Sequence, residues 1–456
     1  MIATGQPAQR LRVLQLSYAC SPVRGSEAGV GWQRALHSAE QFDTWVICEQ
    51  HEFASEVHDY LAKHGPLPGL HFVFVPINQR EWSLGQYHDC LWYWALRRWH
   101  RQALNKARQL HASLHFDLVH QVTFCGYREP GLLWQLDAPF VWGPIGGAQD
   151  YPRRFLRHAG PRATLAESLR SLINRFQLRW SRRVRQAASR ATALIAANSE
   201  NRECFAKAWG KTLSSFPDVG IRSVADSVKV IRPGPIRLLW SGLLTHRKAL
   251  HLLLEALAQI PSDVVYELRV LGEGRSKRRW QQLSSKLGVA DHVNWLGWLP
   301  HVEAIQQYHW ADAFVFSSLR DTTGTVIVEA MAAGLPVICL DHQGAHDVVT
   351  ADCGIKIPVT TPEQAVTDMA AAIVRLARDP DERVRLGRGA VARAREYLWD
   401  RHKTWLLDLY WQILCSNRAG FPAVRLVGPN ADCKRQTRGM ARNGEPCTKR
   451  TPTGEV

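Results

Sequence analysis

Apolar residues in this chain fall into short blocks separated by polar turn formers. "LRVLQLSYA" (Leu11–Ala19), "TWVICEQ", "HFVFVPI", "FDLVHQVT", "APFVWGPIGG" and "ALIAANS" each read as a strand, and helical patterns lie between several of them. That alternation predicts a parallel, doubly wound sheet. A stretch over about 211–235, rich in Ser, Pro, Asp and Gly, reads as a linker. Then the pattern restarts with the strand "IRLLWSGLL". The helix "KALHLLLEALAQI" follows, with Leu250, Leu253, Leu254 and Leu257 at helical spacing. "YELRVLGEG", "HVNWLGWL", "AFVFSS" and "PVICLDH" complete a second set of strands. The expected fold class is α/β: two Rossmann-like doubly wound parallel-sheet domains, over 11–210 and 236–398, facing a central crevice. A helix over 399–416 is expected to pack back towards the first domain. The polar, basic 417–456 is expected to be a disordered tail. Ligands of such sheets bind outside the carboxyl ends of the strands, which here point at the crevice.

Composition narrows this. A chain of 456 residues that is 46% hydrophobic suits two domains with sizeable cores. No run of about 18 apolar residues offers a membrane-spanning helix. The first residues lack a signal peptide's long apolar segment. Ten cysteines without a CxxC pair or metal-ligand spacing fit reduced, mostly buried thiols and a cytoplasmic enzyme.

The net charge of +16 is uneven. Arg153–Arg190 holds eleven Arg against one acid, Glu167, and the chain from Cys415 onward holds eight Lys/Arg against three acids. The rest is nearly neutral. "TLAESLRSLINRFQLRWSRRVRQAASRA" sets Leu165, Leu169, Leu172, Phe176 and Trp180 at near-helical spacing among those arginines. "LWYWALRRWHRQALNKARQ" (Leu91–Gln109) has the same character. Basic helices of this kind lie on anionic membrane surfaces, or bury the apolar face and solvate the basic one.

The candidate chemistry centres on "SSLRDTTGTVIVEAMAAGLPVI" (Ser317–Ile338), where seven residues separate Asp321 from Glu329. Glu329 is the only charge between Val326 and Ala333, and a lone carboxylate there needs a partner or a role. "TVIVEAMAAG" reads as a helix closed by Gly334 and Pro336, with Thr323 or Thr325 able to cap its start. The amides near Gly324, Thr325 and Val326 offer a phosphate site. Glu329 is placed to hold ribose hydroxyls and Asp321 to hold a second sugar. Alternatively, Glu329 only complements the helix dipole. Arg247 and Lys248 begin another helix, where two cations oppose the dipole unless an anion binds between them. "GSEAGVGW", with Gly29 and Gly31, and "GPIGGA", with Gly146 and Gly147, are glycine-dense turns after strands. Plain turn chemistry accounts for them equally well. His120 ends a strand and is either structural or acceptor-side. No residue cluster suggests a metal, and Asp379-Pro-Asp381 reads as a surface turn.

Together these residues resemble the retaining GT-B glycosyltransferases of family 4, also called group 1, over about residues 11–415. The most specific part is the Ser317–Ile338 stretch, which is similar to that family's Glu-x7-Glu block. The resemblance implies that Asp321 contacts the donor sugar and Glu329 the nucleotide's ribose. It implies that Arg247 and Lys248 grip the donor diphosphate, and that the turn with Gly29 and Gly31 closes over the donor. "VLGEG", with Gly272, and "VNWLGWL" match its pattern near the base pocket. Asp321 stands where the family has Glu, Ala249 where it has Gly, and Val122 where it often has His. The implied activity is metal-independent, cofactor-free transfer of a hexose from a nucleotide-sugar donor to a saccharide or lipid-linked acceptor, in cell-surface polysaccharide or glycolipid synthesis. Apart from the resemblance, the cysteines point to the cytoplasm, the basic helices to peripheral contact with an anionic membrane surface, and the basic tail to no specific nucleic-acid partner. A sugar-nucleotide epimerase, an inactive sugar-nucleotide-binding relative and a basic nucleic-acid-binding protein are the competing readings.

Overall fold

The computed structural model describes residues 10–85, 89–225 and 233–419. Part of the linker expected over 211–235, and the tail beyond Ala419, lie outside the described residues.

The first sheet is built from β1 (Arg12–Ser17), β2 (Asp43–Glu49), β3 (Leu70–Val75), β4 (Leu118–Thr123), β5 (Phe140–Ile145), β6 (Ala193–Ala196) and β7 (Ser214–Ser215). Its order is β3-β2-β1-β4-β5-β6-β7. The second contains β8 (Ile236–Ser241), β9 (Tyr266–Leu271), β10 (Val293–Gly297), β11 (Ala313–Phe316), β12 (Val337–Leu340) and β13 (Gly354–Ile357), in the order β10-β9-β8-β11-β12-β13. Neighbouring strands pair in parallel in both. β4 and β5 are buried along their whole length, because helices cover both faces. β5 is accordingly apolar throughout, whereas β4 also buries His120, Gln121 and Thr123. Two edge strands left no sequence pattern: β7 has two residues, within the expected linker, and β13 has four.

The helix after β1 runs over Ser26–Ala39, so Gly29 and Gly31 lie inside its first turns. They were expected in the turn before it. A Cβ on Gly31 would sit 2.2 Å from the Ala19 carbonyl oxygen, so glycine lets the helix approach the strand end.

The chain crosses between domains twice, side by side. Ile221 N donates to Tyr397 O at 2.9 Å, and Trp399 N donates to Ile221 O at 3.0 Å. The final helix, Trp399–Ala419, then lies across the first sheet. Its Leu406, Leu409, Tyr410 and Ile413 pack against Val13, Phe42, Leu118 and Ile195.

The two basic helices fare differently. Asp89–Leu114 spends its apolar face on the first core: Ala95, Leu96, Trp99, Ala103 and Leu104 are all buried. Its expected likeness to a membrane-surface helix does not extend beyond Leu91 and Trp94, which are exposed. The helix Pro161–Trp180 turns its large apolar residues outward. The described cysteines are free; Cys20, Cys48, Cys339 and Cys353 are buried, whereas Cys415 is exposed.

Candidate active site

The carboxyl ends of β8 and β11 supply the main chemistry. After β8, His246–Lys248 forms a 3-10 turn, and Ala249 follows in the left-handed region with φ 50°. That conformation costs a residue with a Cβ roughly 1 kcal/mol, which explains why glycine would suit the position. After β11, the loop 317–324 leads into the helix Thr325–Ala332. The two loops are tied together: Leu319 N donates to Arg247 O at 2.8 Å, and Arg247 Nη1 donates to Arg320 O at 3.1 Å. Lys248 Nζ forms an ion pair with Asp321 Oδ2. Burial pushes Asp321 up, but the Lys248 and Arg247 charges outweigh it and hold the carboxyl below its ordinary range.

Gly324 caps the helix Thr325–Ala332 with φ 85° and no side-chain bond, leaving the Thr325 and Val326 amides without a capping side chain. The expected threonine cap is absent. Thr323 instead donates across to Asp218, at the domain crossing. Glu329 is half-buried, and Tyr308 OH donates to its Oε2 at 2.9 Å. Its Oε1 has no protein donor among the described residues. Burial raises the Glu329 carboxyl above its ordinary range, against the Tyr308 bond. Gly272, after β9, has φ 125°, and a Cβ there would lie 2.0 Å from Gly242 O. It therefore lets the loops after β8 and β9 meet closely.

The first domain clamps this loop through Gln149 and Asn198, which no motif announced, and through Gly146 of the expected glycine turn. Gln149 Nε2 donates to Asp321 O at 2.8 Å and to Thr322 Oγ1 at 3.0 Å. Asn198 Nδ2 donates to Thr322 O at 2.6 Å. Gly146 lies against the same threonine, so that a Cβ there would sit 2.6 Å from Thr322 Cγ2, and Gly147 adopts φ 91°. From the second domain, Gln343 Oε1 accepts from Asp321 N at 2.8 Å, while its Nε2 donates to Asp150 O at 2.9 Å.

Glu167 is the least anticipated member. Its Oε1 meets His246 Nε2 at 2.7 Å and Arg320 Nη2 at 3.0 Å, across the domain boundary. Burial pushes Glu167 up, but the His246 hydrogen bond and the Arg320 charge more than reverse it. Its only signal in the sequence was its solitude among arginines.

His120 is placed elsewhere. It is fully buried, with Nε2 facing Gly143 O at 2.7 Å and Nδ1 facing Tyr410 OH at 2.6 Å. A carbonyl only accepts, so Nε2 carries the proton and Tyr410 donates to Nδ1. Burial drives the imidazole down to about 3. Both nitrogens are occupied, and His120 braces the sheet against the final helix instead of facing an acceptor. Gly29 and Gly31, as helix residues packed on Arg24 O and Ala19 O, shape the start of that helix. Among the described residues no three or more His, Cys, Asp or Glu cluster as metal ligands.

Residues 224–393 match the family described as glycosyl transferases group 1. The match falls on the second domain and covers less than half of the chain. A lipopolysaccharide core biosynthesis glycosyltransferase of Rhizobium meliloti is 29% identical over 213 residues, 45% of this chain and 58% of that protein. The chain spans about half the length of the curated relatives it matches. Among solved structures, sucrose-phosphate synthase from Thermosynechococcus elongatus aligns with TM-score 0.62 at 17% identity, covering 89% of this chain and 100% of that one. An Anabaena protein, HepE, solved with UDP-glucose, aligns with TM-score 0.58 at 18% identity, covering 88% of this chain and 99% of that one. At such identities the likeness establishes the fold, which is GT-B. The matched residues include every second-domain side chain described for this site, from His246 to Gln343.

Proposed function

We propose that this chain transfers a sugar from a nucleotide-sugar donor to a saccharide or lipid-linked acceptor, retaining the anomeric configuration. The observation that carries this reading is the convergence of Lys248, Arg247, Asp321 and the uncapped start of Thr325–Ala332 on two hydrogen-bonded loops. Departure of a nucleoside diphosphate builds negative charge on its oxygens. Fixed cations and helix amides stabilise that charge without reorganising at the moment of reaction, so the reading needs no metal or cofactor. Asp321, already poised on Lys248, remains ionised and accepts donor-sugar hydroxyls. The open Oε1 of Glu329 is available to a ribose hydroxyl. Support for a role in cell-surface polysaccharide synthesis comes from the lipopolysaccharide relative, and for a uridine nucleotide from the HepE neighbour.

The test is a thermal-shift screen against nucleotide sugars, followed by turnover of the best ligand. A ligand at ~100-fold its dissociation constant adds ~2.7 kcal/mol to stability. Lys248→Ala and Glu329→Ala are expected to lower turnover by about two orders of magnitude each. No shift with any nucleotide sugar, or near-normal turnover in both variants, overturns the reading. Conversion of the donor without transfer would favour the epimerase alternative. Binding without any turnover would favour an inactive relative.

A further inference from the structure

The helix Pro161–Trp180 is amphipathic in the reverse sense. A surface helix normally turns its apolar stripe to the core. Here Leu165, Leu169, Leu172, Ile173, Phe176 and Trp180 form a stripe facing solvent, with Leu165 72% and Phe176 67% exposed. The inward face is largely polar: Glu167 and Asn174 are buried and Arg170 is half-buried, with Leu178 the one large apolar side chain buried on it. Burying that polar face costs free energy unless its groups are paired. Glu167 Oε1, Arg170 and Asn174 Oδ1 find partners, whereas Glu167 Oε2 and Asn174 Nδ2 have none among the described residues. Glu167 holds His246 and Arg320, on the two loops that carry Lys248 and Asp321. Arg170 donates to Gln149 O at 2.8 Å and Gly147 O at 2.9 Å, on the glycine turn of the first domain. Asn174 Oδ1 accepts from Tyr127 OH at 2.9 Å.

The outward stripe is set in positive charge. Arg162, Arg175 and Arg179 are exposed on the same helix. Where it ends, Trp180 borders an open groove of about 600 Å³ lined by Arg179, Arg182, Arg185 and Lys211. An apolar stripe ending in Trp beside a basic groove matches the two layers of an anionic bilayer surface, acyl boundary and phosphate headgroup. A second copy of this chain fits poorly. A twofold interface would set the same basic patch against itself. No helix among the described residues is long and apolar enough to cross a membrane, so docking would be lateral.

We propose that the outward face of Pro161–Trp180 docks the protein on an anionic lipid surface, and that Glu167 and Arg170 couple this docking to the loops of the crevice. The coupling rests on the transferase reading of the crevice, whereas the docking does not. A lipid surface that holds the helix rigid also holds the loops bearing Arg247, Lys248 and Asp321.

Docking is tested by co-sedimentation of the full chain with phosphatidylglycerol–phosphatidylcholine vesicles at low and high salt, beside pure phosphatidylcholine vesicles. Salt-sensitive binding to the anionic vesicles is expected. Leu169→Glu/Phe176→Glu, placed on exposed positions so that the fold is kept, is expected to lower it at least tenfold. Absence of anionic binding, or equal binding by the double variant, overturns docking. So does sedimentation velocity showing a dimer that the double variant dissociates. Coupling is tested by hydrogen exchange over residues 244–248 and 318–322, which reads no sugar transfer. Vesicles are expected to slow exchange in the wild type, and not in Glu167→Gln, which still binds them. Equal slowing in both proteins, or none in the wild type, overturns the coupling.

Discussion

Glu27 shows how far one side chain's environment can depart from its sequence context. It follows the turn after β1, and its Oε1 accepts from Cys125 N at 2.7 Å in a half-buried setting. Burial, with Asp218 adding repulsion, raises its carboxyl to about 7. A raised acid pKa in the folded state stabilises fully below the unfolded value of 4.5, and that contribution disappears as pH climbs through about 7. Glu27→Gln, which can still accept from Cys125, should therefore gain relative to wild type between pH 5 and pH 8, by on the order of 3 kcal/mol. Urea unfolding at both pH values checks this; the same difference at each would show that Glu27 is not held protonated. Asp321 is the converse case, half-buried, with its carboxyl held below the ordinary range by Lys248 and Arg247. The acids of the Asp-x7-Glu block could be found by spacing. Nothing in the sequence marked Glu27, Gln149 or Asn198, because a single polar residue carries no periodicity.

At the scale of elements, the apolar blocks located eleven of the thirteen strands, because strands of a sheet covered on both faces are largely apolar. The two edges escaped for different reasons: β7 has only two residues, and Lys356 interrupts the apolar run of β13. Helix starts were less legible. The glycines after β1 read as a turn, yet Gly29 and Gly31 belong to the helix that presses on that strand's end. Gly31→Ala would bring a Cβ to 2.2 Å from Ala19 O, a backbone atom that cannot swing aside. A loss of about 1–3 kcal/mol in urea unfolding is expected from overpacking of this kind. A smaller loss would mean that the helix shifts freely. The missing threonine cap has a similar origin: Thr323 forms its bond across the domain boundary with Asp218 instead of within its own helix.

At the scale of the whole molecule, the final helix joins the chain's end to its first sheet. Tyr410 OH sits between His120 Nδ1 at 2.6 Å and Gln15 Nε2 at 3.2 Å. Tyr410→Phe leaves a buried imidazole nitrogen without its donor. It should cost about 1–3 kcal/mol of stability while leaving nucleotide-sugar affinity unchanged. Weakened affinity at equal stability would instead return His120 to the crevice. What the sequence determined by itself was the pair of α/β domains and the spacing of the second domain's charged residues. Both follow from local rules of period, burial and helix-end chemistry. What only the tertiary structure decided was partnership. Two basic amphipathic helices look alike in sequence, yet one buries its apolar face in the core and the other presents it to solvent. Amphipathicity fixes that a helix has two faces. Which face turns inward depends on what stands opposite, and opposite Pro161–Trp180 stand His246, Arg320 and the Gly147 carbonyl.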